Sequence, residues 1–491
     1  MEAIEALPAI ECGEDAARYF DFDEGWRNLN HGMSILMFHY SGAATLATTR
    51  DHPDRTTRGP QLIPLSGSFG TFPTPLRPLF LDHQIQSERR PDAFIRYEYP
   101  KLLDKSREAI ADYLHAPTST CVFVPNATTG INTILRNLEY AKGDVIVYFD
   151  TIYGSCGKTI AYLTETTAVE ARKVAFAYPT SDDELCDLFE KAINDVKAAG
   201  QKPKLAVFDT IVSLPGVRMP FERLTQICRQ HNILSCVDGA HGAGHIPLDL
   251  GTLDPDFFVS NCHKWLHVPR GCAVFYVPER NQRLMRTTLP TSHGFSPRPV
   301  EGEPEVNNPL PPSGKSAFVT NFEFVGTIDN SPYLCVPAAL AWRRKLTFDG
   351  KIGEEAIMAH NSRLARRAGE IVSSALGTEV MENSERTLGR CNFAMVRLPL
   401  SYPSVAAGEL STAQTVGQWI VQTLVEEYKT FIAIIVYGRA WWVRLSGEVY
   451  LTEGDFEWGG RVLGEVCGRV ERGEWKGKSE GEKEEVNGKA A

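Results

Sequence analysis

Between residues 121 and 277, short and almost continuous apolar runs alternate with polar turns and with stretches of helical spacing. Cys121–Val124, Val145–Phe149, Leu205–Phe208, Ile233–Val237, Phe257–Val259 and Cys272–Val277 are such runs. Runs of this length without polar alternation are the pattern of strands buried on both faces. After the first, Asn126-Ala127-Thr128-Thr129 leads into an amphipathic helix through Ile134, Leu135 and Leu138. Strands separated by helices need crossover connections, so the pattern predicts an α/β domain with a mainly parallel, helix-covered sheet. Ligand chemistry in such sheets gathers at the carboxyl ends of the strands, where this chain places polar residues.

From about Pro337 the pattern changes. Long helical stretches (Ala338–Lys345, Glu354–Ala375, Thr412–Tyr428) flank the apolar strands Phe393–Leu398, Phe431–Val436 and Trp441–Leu445, as in a smaller α+β domain. The expected organisation is an N-terminal segment (1–32 and 68–80) interrupted by an insertion (33–67), a large domain (81–336), a small domain (337–467) and a tail (468–491). That tail is rich in Glu, Lys and Gly and is expected to be disordered.

Composition narrows the picture without deciding it. The 491 residues exceed one small domain, and the 43% apolar and 23% charged fractions are those of a soluble globular protein. No apolar run reaches the ~18 residues of a membrane span, and the first residues lack the basic and apolar regions of a secretory signal. The 11 cysteines are scattered without a CxxC pair, which points to buried thiols in a reducing compartment and to no zinc site. A net charge of −10 argues against a nucleic-acid partner. The expectation is a cytoplasmic enzyme, nuclear presence being left open.

Asp238 follows the run Ile233–Val237 and precedes Gly239-Ala240-His241-Gly242. Lys264 follows the next run, within Asn261-Cys262-His263-Lys264-Trp265-Leu266. Alone, a strand-end Asp is a helix cap and a lysine a solvated side chain. Together, with both histidines, they resemble the signature of the class V aminotransferase superfamily. The resemblance runs from about residue 15 to 465 and implies the pyridoxal 5'-phosphate-dependent fold type I, with a seven-stranded sheet in its large domain. It implies that Lys264 carries the cofactor and that Asp238 keeps its ring nitrogen protonated. Thr128, Thr129, Asn261 and His263 match positions that reach the cofactor phosphate. Thr327, in Gly326-Thr327-Ile328-Asp329, matches a segment that reaches the neighbouring subunit's cofactor, implying a homodimer. Ser213 matches a position near the ring hydroxyl, or is only a loop residue; His241 is placed beside the cofactor, or is only a turn residue.

The superfamily holds desulfurases, transaminases, epimerases and C–S lyases, and fold does not choose among them. A desulfurase needs a nucleophilic cysteine, and Cys391 reads instead as a buried strand-start residue. Leu29-Asn30-His31-Gly32, Ser68-Phe69-Gly70 and Arg90-Pro91-Asp92-Ala93-Phe94 resemble the isopenicillin-N-epimerase-like branch. The segment Asp150–Thr159 is similar to one in fungal hercynylcysteine sulfoxide lyases, which act last in ergothioneine biosynthesis. That resemblance implies a C–S lyase releasing pyruvate and ammonia from an amino-acid substrate. Lys264 then removes the α-proton, and Tyr153 either protonates the departing sulfur or packs on the ring. Arg444 clamps the substrate carboxylate, with His31 and Ser68 on the substrate side. An epimerase or a desulfurase of the same superfamily is the alternative, and a catalytically dead scaffold is opposed by the intact Lys264 and Asp238.

Residues 33–67 do not fit this frame. In the branch just named, Asn-His-Gly runs directly into Ser-Phe-Gly, whereas here the two are separated by 35 residues. Gly32-Met33-Ser34 can be encoded by a string containing the splice donor GTATGT, and Ser66-Gly67 by one containing a CAG acceptor. Excision would keep the reading frame, so the stretch is expected to be a translated, unspliced intron rather than a genuine surface insertion.

Overall fold

The computed structural model describes residues 1–31, 72–298, 300–302, 308–311 and 313–477. The insertion, Ser68 and residues 478–491 lie outside the described residues.

Seven strands form the large sheet: β1 (Cys121–Val124), β2 (Asp144–Phe149), β3 (Glu170–Val174), β4 (Lys202–Asp209), β5 (Leu234–Asp238), β6 (Phe257–Asn261) and β7 (Ala273–Tyr276). Their spatial order is β1-β7-β6-β5-β4-β2-β3. Only β7 runs against the others, pairing antiparallel with both β6 and β1. Valine, isoleucine, cysteine and phenylalanine fill both faces of the central strands, which is why they read as unbroken apolar runs. Strand β3 is the exception. It is the exposed edge, with only Val174 of its five residues buried, so its Glu170-Ala171-Arg172-Lys173 gave no apolar run to detect.

Helix α1 (Ala127–Asn137) follows β1 directly, its amino end capped by Asn126, whose Oδ1 accepts from the Thr129 amide at 2.8 Å. Gly130 lets this helix lie close against the sheet: a Cβ there would come within 2.6 Å of Val259 Cγ1. Helix α2 (Gly154–Thr166) starts after the loop that leaves β2, with Tyr153 at its N-cap.

A second, antiparallel sheet of β8 (Phe393–Arg397), β9 (Ala433–Tyr437) and β10 (Ala440–Ser446) has β10 at its centre. After α3 (Val336–Arg343), which packs against the Tyr99–Tyr113 helix, α4 (Glu354–Leu376) and α5 (Leu410–Tyr428) pack on this sheet, and α6 (Glu453–Glu471) packs on both of them. The N-terminal segment belongs with this half: Ile10 and Glu11 pair parallel with Leu346 and Thr347. The boundary expected at 468 is corrected, because α6 continues to Glu471. Val470 on its inner face is buried, and Arg469 donates to Glu427 at 2.7 Å, so low apolar content in sequence hid an anchored helix end. Among the described residues no helix is long and apolar enough to cross a membrane.

Candidate active site

The carboxyl ends of β4, β5 and β6 open into a cavity of about 500 Å3. Its walls include Thr128, Thr129, Tyr153, Ser213, His241, Asn261, His263 and Lys264, with Asp238 and Asp209 at the strand ends. Seven of the positions singled out from sequence therefore share one cavity with Asp238 and Lys264.

Asp238 is 3% exposed. Its Oδ1 accepts from the Ala240 amide at 2.9 Å, and the Cys156 thiol donates to Oδ2 at 3.4 Å. Asp209 stands opposite it in register on β4. Burial raises both carboxyls above the usual range, Asp209 the further of the two because the charge of Asp238 adds to its own desolvation. Each carboxylate disfavours ionisation of the other, and of the two Asp209 is the more readily protonated. Asp209 was missed in the sequence reading because the strand was ended at Phe208; the run Leu205-Ala206-Val207-Phe208-Asp209 carries the same signal as the one that ends in Asp238.

Lys264 lies in the short helix after β6, with Nζ 3.0 Å from His241 Nε2. The Trp265 indole donates to His241 Nδ1 at 3.2 Å. A neutral imidazole that accepts at Nδ1 carries its proton on Nε2, and it can then only donate to Lys264. This arrangement favours the free-amine form of Lys264. Burial drives its pKa in the same direction, down to about 8, with Asp238 pulling it back up and Arg444 pushing it further down. Burial, and then the charge of Lys264, also holds His241 well below its ordinary value, so the neutral ring is the stable one. Tyr153 is half-buried, and burial raises its hydroxyl above the ordinary value, so it stays protonated near neutrality.

At the other end of the cavity the donors are of a different kind. Asn261 Oδ1 accepts from the Ala127 amide at 2.8 Å and so ties β6 to the start of α1, where amides and the hydroxyls of Thr128 and Thr129 face the cavity wall. His263 Nδ1 meets the main chain of Cys272, and burial lowers its pKa to about 4. A buried carboxyl at one end, a lysine amine in the middle and a helix amino terminus at the other form a donor set that fits pyridoxal phosphate.

Three expected residues lie outside this cavity. Arg444, on β10, is fully buried behind Ser213. Its Nη1 donates to the Ser213 carbonyl at 2.8 Å, its Nη2 to Asn30 Oδ1 at 2.7 Å, and its plane covers Phe393 at 4.2 Å. Gly216 makes room for it, since a Cβ there would stand 2.6 Å from Arg444 Cδ. Among the described residues it has no carboxylate partner, its Nε has no hydrogen bond, and burial lowers its pKa to about 9. Thr327 lines a separate cavity of about 500 Å3 whose wall shares Thr128 and Thr129. His31 is 2% exposed, and its ring is turned beneath the Lys264 carbonyl. Cys391 is buried, and burial pushes its thiol up to about 12, which suits a packed residue and not a nucleophile.

Residues 95–301 match the family model of class V aminotransferases. The chain is 39% identical over 424 residues to the L-cysteine desulfhydrase-like protein lolT1 of Epichloe uncinata, covering 82% of this chain and 92% of that protein. It is 28% identical over 383 residues to the hercynylcysteine sulfoxide lyase of Schizosaccharomyces pombe, covering 78% and 88%. The fold matches that of a cysteine desulfurase from Thermococcus onnurineus NA1 with a TM-score of 0.63 at 16% identity, across 94% of this chain and 100% of that one. On the sequence signature, the sheet and the relatives together, the chain belongs to the class V aminotransferase family, whose cofactor is pyridoxal phosphate.

Proposed function

We propose that this chain is a carbon–sulfur lyase that acts on an S-substituted L-cysteine, with hercynylcysteine sulfoxide as its substrate, releasing pyruvate and ammonia. The observation that carries the reading of an amino-acid substrate is Arg444. A guanidinium removed from water without a carboxylate partner is costly, and a substrate carboxylate meeting its planar fork would relieve that cost. The choice of a sulfur compound is supported by the two fungal relatives, one named for cysteine desulfhydration and one for sulfoxide cleavage. The buried, protonated Cys391 speaks against the persulfide-forming alternative.

When bound, pyridoxal phosphate supplies an electron sink that acidifies the substrate Cα–H and allows the Cβ–S bond to break. Lys264 would hold the cofactor and, as a free amine, would take the substrate α-proton. Asp238 would keep a proton on the ring nitrogen, with Asp209 beside it the more readily protonated of the two acids. Thr128, Thr129, Asn261 and His263 would hold the phosphate, and Ser213 and His241, which line the same cavity, would hold the ring. The Tyr153 hydroxyl donates its proton to the departing sulfur. Thr327 turns toward the cofactor of a second copy, so the working form is a homodimer.

Incubating the purified enzyme separately with hercynylcysteine sulfoxide, an S-alkyl cysteine sulfoxide and L-cysteine, and assaying pyruvate, tests the reading. The largest kcat/KM is expected with the first. Pyruvate from L-cysteine alone would replace the substrate, and inversion at Cα without pyruvate would replace lyase by epimerase.

A further inference from the structure

Beneath Lys264, on the side away from the cavity, lies a buried charged cluster that the chemistry above does not use. Glu448, just past β10, is fully buried. Its Oε2 is 3.3 Å from His31 Nε2 and its Oε1 3.2 Å from His267 Nε2. His31 Nε2 is also 2.5 Å from the Lys264 carbonyl oxygen, while its Nδ1 is 3.0 Å from the Tyr450 hydroxyl. Arg343, at the end of α3, donates to the Trp265 carbonyl at 2.5 Å and faces His267 Nδ1 at 3.1 Å.

Two histidines and a carboxylate with their donor atoms all within 4.8 Å of one another are the makings of a metal site. The carbonyl decides otherwise. An imidazole nitrogen 2.5 Å from a carbonyl oxygen carries a proton, and a protonated nitrogen ligates nothing. His31 Nε2–H instead donates to the Lys264 carbonyl, with Glu448 Oε2 3.3 Å away at ion-pair distance and itself without a hydrogen bond. Burial alone would raise Glu448, but the imidazoles of His31 and His267 hold it down to about 2, so the carboxylate is ionised and anchors both rings.

We propose that His31, Glu448 and His267 form an internal clasp that fixes the peptide of Lys264, so that the N-terminal segment and the small sheet set the position of the cofactor-bearing amine. His31 is then a positioning residue rather than the substrate residue expected from its motif. Sequence distance makes the clasp specific: His31 and Lys264 are 233 residues apart, and His267 and Glu448 are 181 apart. This inference needs the family's cofactor but not the identity of the sulfur compound.

The test is the rate at which the holoenzyme surrenders its cofactor to added hydroxylamine, followed by the visible absorbance, beside thermal melting and transition-metal analysis. His31→Leu is expected to keep stoichiometric cofactor yet release it about tenfold faster, because the hydrogen bond to the lysine peptide is gone. His31→Gln keeps an N–H within reach of the carbonyl and is expected to return the rate to within about twofold of the parent. Should His31→Leu not fold, Glu448→Gln, which keeps the shape and removes the anchoring charge, is expected to quicken release about threefold or more. Parent-like release in His31→Leu, or in Glu448→Gln where the former does not fold, would overturn the proposal. So would equal impairment of the Leu and Gln variants at residue 31, which would mean packing alone, or stoichiometric zinc in the purified parent.

Discussion

Trp265 acts on chemistry it never touches. By donating to His241 Nδ1 it dictates the tautomer that leaves Lys264 as a hydrogen-bond acceptor. A lysine held near 8 instead of 10.5 is a nucleophile at physiological pH. The reacting form is the neutral amine, so the rate at which cofactor-free protein takes up pyridoxal phosphate should rise with pH through a midpoint near 8 and then level off. In Trp265→Phe the midpoint should move upward; stopped-flow absorbance across pH 6 to about 10 would show both. Arg444→Lys should raise KM about tenfold or more while kcat changes less, because a point charge replaces a two-toothed donor; steady-state kinetics on the accepted substrate measure the split. Lys264 and Asp238 were legible because each follows an apolar strand at the edge where such folds do chemistry. Glu448 and His267 were not, since their partners arrive from opposite ends of the chain and no local pattern announces a tertiary ion cluster. His31 was noticed for its neighbours Asn30 and Gly32, but the direction of its ring is decided by packing that sequence does not display.

At the level of elements, the site depends on how closely helices approach the sheet. Helix α1 presents its amino end to the cavity only because Gly130 allows it to lie against Val259. Gly130→Ala should cost ~1–3 kcal/mol through overpacking and should weaken cofactor binding more than a surface substitution of equal cost; thermal melts and a pyridoxal phosphate titration on the same samples would compare the two. The alternation of strands and helices was readable wherever both faces of a strand are buried, and it failed at β3, whose outward residues are charged. The orientation of β7 was also beyond reach, because an apolar run buried on both faces looks the same whichever way it points. In α6, Cys467 and Val470 keep the inner face apolar up to the last turn, but Gly468 and Arg469 between them mask the period.

For the whole molecule, the stretch 33–67 remains the proposal with the simplest check. Sequencing the transcript should yield messages that join the codons of His31 and Ser68 through a single reassembled glycine codon, and protein made from them should turn over faster than the full 491 residues. Messages uniformly retaining the stretch would make it a genuine insertion, which long loops tolerate. The clasp under Lys264 has a different consequence, one of timing. A ribosome delivers His31 early, yet its partners Ser446 and Tyr450 lie 415 and 419 residues downstream. Pairings so distant in sequence close late in folding. The nascent large domain can thus assemble its sheet and still lack a secured lysine until the final tenth of the chain has emerged. Ribosome-bound chains arrested before Glu448 should accordingly bind pyridoxal phosphate weakly and lose it on washing, whereas chains arrested beyond the end of α6 should retain it. Commitment to the cofactor would then serve as the molecule's own signal that synthesis is complete.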